Sequence, residues 1–272
     1  MNIVKDKIIM VTGSTDGIGK QTAIDLAEMG ANIIVHGRNE SKAKQAAENV
    51  KQRSGATNIE YVVCDLSSLE QIRKMSEDIH QRFDKIDVLI NNAGVYKTER
   101  ELNEKGFELT FAINHLAYFL LTGLLLDLVK KSDYARIVNV ASMAHGQDLD
   151  FDNLNGEDYF DGYDAYSRSK LCNIMFTYTL SRKLEGTGVT ANVLHPGVIS
   201  TKLLHEGFGM GGSPLTQGSQ TSVYLASSEN VENVSGRYFS DNREVSSSEV
   251  SYNISMQDKL WIISEKMTGF SL

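Results

Sequence analysis

Cysteine, proline and tryptophan are scarce, and basic residues do not exceed acidic ones. There are 2 Cys, 2 Pro and 1 Trp in 272 residues, and 35 Asp and Glu stand against 27 Lys and Arg. Cys64 and Cys172 alone cannot form a disulfide framework or a cysteine zinc site, and no metal site is expected; such sparing use fits a reducing compartment. A net charge of −8 argues against a general nucleic-acid binder, because phosphate contacts need a basic face. Long hydrophobic runs are also missing. Leu116 to Val129 is too short to cross a bilayer and reads as a buried helix, so no integral membrane segment is expected. Lys5, Asp6 and Lys7 interrupt the stretch from Met1 to Met10, which does not read as a signal peptide. Together these absences point to a soluble, cytoplasmic protein. What the chain does have is 22 Gly, many more than its prolines: permissive turns outnumber rigid ones.

Short apolar runs alternate with helical patterns. The runs are Ile8–Val11, Ala31–His36, Ile59–Val63, Val88–Ile90, Arg136–Val140, Val189–Leu194 and Gly236–Ser240. Between or after them, helices are expected at Gly17–Met29, Ser41–Arg53, Ser67–Phe83, Lys105–Lys131, Tyr163–Glu185, Ser219–Ser227 and Asp258–Met267. Apolar strands without polar alternation, separated by helices, indicate βαβ units with both sheet faces covered. Right-handed crossovers then give an α/β fold: a doubly wound, parallel, seven-stranded sheet in a single domain over residues 1–272. Gln147–Asp164 is acidic and Ile199–Gly218 is glycine-rich; both read as loops.

The first strand ends in Thr12-Gly13-Ser14-Thr15-Asp16-Gly17-Ile18-Gly19 and a helix follows at once. A dinucleotide pyrophosphate needs free backbone N–H groups, a helix N-terminus and no Cβ in its path. Gly13, Ser14, Asp16, Gly17, Ile18 and Gly19 are therefore candidate cofactor contacts, although the spacing is G-x3-G-x-G and not G-x-G-x-x-G. At the end of the second strand, His36-Gly37-Arg38-Asn39 offers no carboxylate for ribose hydroxyls. Arg38 instead provides a permanent cation for a 2′-phosphate, with Ser14, Asn39 and Lys42 near it in sequence or in the turn. NADP(H) is expected over NAD(H). Asp65-Leu66 and Asn92-Ala93-Gly94 follow the third and fourth strands, at the carboxyl ends where open α/β sheets bind ligands.

Tyr166 and Lys170 lie four residues apart, on one helical face. A free tyrosine titrates near 10, and a neighbouring ammonium is expected to lower that value so that Tyr166 exchanges a proton with substrate. Ser142 follows the fifth strand and can hold the substrate oxygen beside it. Asn114 is a poor helix former in an apolar stretch and can hold a water linked to Lys170.

With these residues in view, the chain resembles the short-chain dehydrogenase/reductase family. The matching residues are Thr12-Gly13-x3-Gly17-x-Gly19, Asp65, Asn91-Asn92-Ala93-Gly94, Asn114, Ser142, Tyr166-x3-Lys170, and Pro196-Gly197 with Thr201, in the family's order. The resemblance implies a Rossmann fold and NAD(P)-dependent carbonyl–alcohol chemistry. It also implies an Asn-Ser-Tyr-Lys tetrad at Asn114, Ser142, Tyr166 and Lys170, with Pro196, Gly197, Val198 and Thr201 along the nicotinamide and its phosphate. A narrower resemblance, to the retinol-dehydrogenase-like branch, is carried by Asp150-Phe151-Asp152-Asn153-Leu154, by Ala165 to Asn173, and by Gly236-Arg237-Tyr238-Phe239 and Leu260-Trp261 in the tail.

Segment 199–218 lies where the family carries a mobile substrate lid, and Leu203, Leu204, Phe208 and Met210 would give it an apolar inner side. Segment 147–164 reads as a solvated loop, with shaping of the substrate entrance as the functional alternative, and His145 reads as a solvated loop histidine, with a substrate contact as the alternative. The long helices at 105–131 and 163–185 form dimer interfaces in many family members, so a homodimer or homotetramer is one expectation. The leading expectation is an NADP(H)-dependent oxidoreductase that transfers a hydride between nicotinamide and an apolar small-molecule carbonyl or alcohol; the alternative is a regulatory or scaffold protein that binds NADP(H) without catalysis.

Overall fold

The computed structural model describes residues 3–272; Met1 and Asn2, part of the segment read above for a signal peptide, lie outside them. The elements follow in the order β1 (Ile8–Val11), α1 (Gly17–Glu28), β2 (Asn32–Gly37), α2 (Glu40–Ser54), β3 (Ile59–Val63), α3 (Leu69–Arg82) and β4 (Val88–Asn91). Then α4 (Leu109–Phe111) passes through a π-helical turn (Ala112–Leu116) into α5 (Ala117–Lys130), followed by β5 (Arg136–Val140), α6 (Gly162–Lys183) and β6 (Thr190–His195). The chain ends with α7 (Lys202–Phe208), α8 (Leu215–Gly218), α9 (Gln220–Ser227), β7 (Tyr238–Ser240), β8 (Arg243–Glu244) and α10 (Ile254–Thr268).

The strands form one sheet in the order β3-β2-β1-β4-β5-β6-β7-β8. All neighbours are parallel except β7 and β8. The expected seven strands are present, and a two-residue antiparallel strand is added at the edge. Its residues, Arg243 and Glu244, are exposed and polar, so no apolar run announced it. Strand order reverses between β1 and β4, which opens a crevice at their carboxyl ends. One large apolar cluster packs α3 and α5 on one face of the sheet, with Met10, Leu89 and Ile137 reaching into it from the strands. A second cluster packs α1, α2 and α9 on the other, taking Ile9, Val11, Ile90 and Val138. Alternate strand residues thus serve opposite faces, as a two-sided sheet requires.

The long helix and segment 199–218 differ from expectation. The long helix begins at Leu109, not Lys105. Asn103 accepts from the amides of Lys105 and Phe107 and closes a turn, and the buried Glu108 carboxylate caps the amides of Thr110 and Phe111 at 2.7 and 2.8 Å. The continuous helix Leu109–Lys130 is long and apolar enough to cross a membrane by length and composition, longer than its apolar run suggested; 83% of its most apolar window is buried in the fold. Segment 199–218 is not simple loop: it holds α7 and α8.

Candidate active site

The crevice at the β1–β4 switch is a cavity of about 620 Å³. Gly13, Asp16, Gly17, Ile18, Gly19, Arg38, Asp65, Leu66, Asn92, Ala93, Gly94, Ser142, Tyr166, Lys170, Pro196, Gly197, Val198 and Thr201 all line it. Residues spread over nearly two hundred positions therefore meet along one wall.

The glycine-rich turn is braced from beneath. Gly13 has φ +63°, and a Cβ there would lie 2.7 Å from the Cα of Ala93, so only glycine fits. The Gly13 amide donates to Nδ1 of the buried His36 at 3.0 Å, and the other ring nitrogen meets the Cys64 carbonyl at 3.1 Å. Burial pushes the His36 pKa down to about 4, so the ring is neutral and able to accept. Thr12 Oγ1 accepts the amides of Asn92 and Ala93, while the Asn92 side chain donates to Thr12 O and Gly13 O. Asn92 thus fastens β4 to the turn.

Two expected cofactor contacts do not face the cavity. Ser14 is fully buried; its hydroxyl donates to Val11 O at 2.7 Å and accepts from the His36 amide at 2.9 Å. It is a strut between β1 and β2, and the neighbouring Thr15 lines the cavity in its place. Asn39 is spent as the N-cap of α2, accepting from the Lys42 amide and the Ser41 hydroxyl. Arg38 is exposed at the cavity, with no hydrogen-bond or ion-pair partner among the described residues. Asp65 gives one oxygen to Ser67, accepting its amide and its hydroxyl. Asp16 caps α1 through the Gly17 amide and pairs with Lys202 at 2.7 Å; the Lys202 ammonium holds its carboxyl below the usual range.

At the other end, Tyr166 and Lys170 are both almost fully buried on α6. Lys170 Nζ lies 5.5 Å from the Tyr166 ring centroid and donates to Val140 O at 3.1 Å. The expectation that Lys170 lowers the phenol's pKa is not met within the protein alone. Burial dominates and pushes Tyr166 up to about 12, opposed by a hydrogen bond from Ser142; burial also brings Lys170 down to about 7. Asn114 sits in the π-helical turn, completely buried. Its amide donates to Val95 O and Ser169 Oγ and its carbonyl accepts from Val95 N at 2.8 Å. The side chain therefore first holds the loop after β4, and one Oδ1 lone pair is left for a water. A point at the Cβ position of Gly94 lies 3.4 Å from Lys170 Nζ and 3.5 Å from Asn114 Oδ1, so both groups converge on that glycine.

Segment 197–213 covers this end. Its two legs are joined by Ser213 N to Val198 O and Ser200 N to Ser213 O. Thr201 caps α7 by accepting the Leu204 amide. Phe208 packs edge-on against Tyr166 with centroids 5.6 Å apart, and against Tyr96 at 4.8 Å and Tyr163 at 6.1 Å. Tyr96 and Tyr163 escaped the sequence reading; an aromatic two residues past Asn-Asn-Ala-Gly is the only local hint of the first. Of the acidic segment 147–164, only Tyr163 lines the cavity, so its carboxylates do not shape the entrance. His145 does not line it either: its ring nitrogens bond Ser142 O and Ser248 N.

The chain is similar to known proteins in sequence and in fold. The short chain dehydrogenase family profile matches residues 7–208. Retinol dehydrogenase 14 of Homo sapiens is 40% identical over 98% of this chain and 88% of its own. Polyprenol dehydrogenase of Homo sapiens is 39% identical over 97% of this chain and 86% of its own. Among solved structures, an uncharacterized protein from Mycobacterium Paratuberculosis superposes with a TM-score of 0.82 at 29% identity, covering 100% of this chain and 97% of that one. With its doubly wound sheet and its glycine-rich crevice, the chain belongs to the short chain dehydrogenase family of oxidoreductases, in the branch that holds the retinol dehydrogenases.

Proposed function

We propose that the protein is an NADP(H)-dependent oxidoreductase interconverting an apolar alcohol and its carbonyl compound, with Asn114, Ser142, Tyr166 and Lys170 as its working residues. One observation carries the reading: a buried phenol, a buried amine and a hydroxyl meet at one end of a cavity whose other end holds an arginine without a partner among the described residues. The cavity suits a dinucleotide in volume and in donors. The turn from Gly13 to Gly19 would receive the pyrophosphate, Arg38 the 2′-phosphate, Asp65 and Leu66 the adenine, Asn92, Ala93 and Gly94 the sugar. Pro196, Gly197, Val198 and Thr201 would flank the nicotinamide, which when bound supplies or accepts a hydride. The absence of a carboxylate at the end of β2 favours the phosphorylated cofactor over NAD(H).

The side chains account for the proton. A phenol held near 12 stays protonated at neutral pH and is ready to donate to a carbonyl oxygen as it is reduced. Ser142 orients that oxygen and steadies the phenolate left behind. Lys170, held near 7, becomes an ammonium when a negative charge comes near, and a charged Lys170 then favours the phenolate needed for the reverse reaction. The apolar substrate class rests on Leu203, Leu204, Phe208, Met143 and Met210 around the cavity. It is also in keeping with relatives named for retinol and polyprenol, both apolar alcohols. The test is Tyr166→Phe assayed by NADPH oxidation with apolar aldehydes. Turnover falls by roughly 10²–10⁴-fold, while NADPH affinity by fluorescence titration stays within about twofold, since no binding contact to the phosphates is removed. A variant as active as the parent overturns the assignment.

A further inference from the structure

Ser142 is held by more than its place at the end of β5. Its carbonyl oxygen receives two side-chain donors: the His145 ring at 2.7 Å through Nδ1 and the Tyr238 hydroxyl at 3.1 Å. The opposite ring nitrogen, Nε2, lies 2.9 Å from the amide of Ser248. An amide can only donate, so Nε2 is the bare nitrogen and Nδ1 carries the proton. The ring therefore donates to Ser142 and accepts from Ser248. It rests edge-on against Tyr238, with centroids 5.5 Å apart and planes at 73°. The Ser142 hydroxyl accepts the Ala144 amide at 3.1 Å, and its hydrogen bonding to Tyr166 works against the rise that burial gives the phenol's pKa.

We propose that His145, with Tyr238, is a positioning clamp that fixes the Ser142 peptide so that the serine hydroxyl stays on Tyr166. The clamp draws on β7 and on the turn that begins after Ser248, both beyond residue 208, where the family match ends. The C-terminal part of the chain thereby sets the geometry of a residue in the core of the site. The kinetic arm of the test rests on the oxidoreductase reading above; the spectroscopic arm does not.

Asparagine places its amide where Nδ1 stands, and glutamine places its amide where Nε2 stands. His145→Asn keeps the donor to Ser142 and loses Ser248; His145→Gln does the reverse. With NADPH and decanal, cinnamaldehyde or retinal, His145→Ala and His145→Gln lower kcat about tenfold, the worth of one lost hydrogen bond, and leave the KM for NADPH unchanged. His145→Asn restores most of the rate. Equal rates in all three variants, or rescue by Gln and not by Asn, overturn the clamp; the latter would make the ring a tether for Ser248 alone. In the unaltered protein, ¹⁵N spectra of labelled histidine show His145 protonated at Nδ1 and bare at Nε2. The opposite tautomer overturns the proposal even if His145→Ala fails to fold. Absence of turnover in the parent protein with every aldehyde would count against the oxidoreductase reading, and the tautomer would still decide the clamp.

Discussion

The two ends of the cavity are built on different principles. At the nucleotide end, backbone is tied to backbone through buried struts: His36 between Gly13 and Cys64, Ser14 between Val11 and His36, Thr12 and Asn92 between β1 and β4. At the covering end, α7 has no buried residue, and it meets the rest of the site through aromatic packing of Phe208 and one exposed ion pair, Lys202 with Asp16. Hydrogen bonds are directional and hold a single geometry; apolar contacts tolerate displacement. The first end is therefore suited to a ligand that never changes, and the second to substrates that differ in shape. Both lie on one sheet, so the contrast can be probed one side at a time.

The sharpest break is expected from Gly13→Ala. The added methyl meets the Ala93 backbone in a conformation that L residues avoid. Left-handed strain and overpacking together cost about 3 kcal/mol, which lowers the unfolding midpoint by roughly 6–12 °C and removes NADPH binding. A scanning calorimetry trace and a fluorescence titration check both. A variant with parental affinity would show that the turn yields as easily as the cover does.

Arg38→Asp tests the same end without disturbing its struts. Loss of a charge-assisted contact predicts a rise in the KM for NADPH of about 10–100-fold, with the KM for NADH unchanged or lower. An unaltered preference removes Arg38 as the phosphate ligand.

How much of each end was legible follows the same division. The α/β order, the glycine turn and the tyrosine–lysine pair depend on local spacing, and each stands where the sequence implies. Ser14 and Asn39 were misplaced because chemistry alone does not tell which way a polar side chain in a turn points; one became a strut and the other a helix cap. Tyr96 and Phe208 meet across more than a hundred residues of sequence, and no periodicity encodes that meeting. The raised pKa of Tyr166 was likewise invisible, because i,i+4 spacing reports a neighbouring lysine but not how deeply both are buried.

Acid should loosen the nucleotide end before the cover. His36 is held near 4 in the fold against 6.5 when free, by burial first. A group whose folded pKa is depressed in this way remains neutral while the unfolded chain takes up a proton. Its contribution to stability is complete above about pH 6.5 and is lost progressively as pH falls toward 4. Protonation also removes the acceptor for the Gly13 amide, so NADPH affinity falls in the same window. His115 and His195 are likewise near 4 and act in the same direction on stability. The affinity of His36→Asn, whose side-chain oxygen accepts without titrating, isolates the effect: its NADPH binding is flatter between pH 7 and pH 4.5 than the parent's. Parallel curves would place the acid sensitivity elsewhere.

The smallest effect is expected at the cover, and its form matters more than its size. Phe208→Ala removes an aromatic partner of Tyr166, Tyr96 and Tyr163 without touching a strut. Aromatic pairs are worth about 0.5–1.5 kcal/mol beyond the area they bury, so the KM for a bulky apolar aldehyde rises by roughly 2–10-fold. The KM for NADPH stays where it was, because no residue of the glycine turn has moved. The change should also be smaller for a short aldehyde than for a long one, since a short chain reaches the Tyr166 hydroxyl without filling the space beside Phe208. Measuring both KM values on one preparation separates the two ends directly. If Phe208→Ala weakens NADPH as much as aldehyde, the cover belongs to the cofactor's site, and the two ends of the cavity are mechanically one.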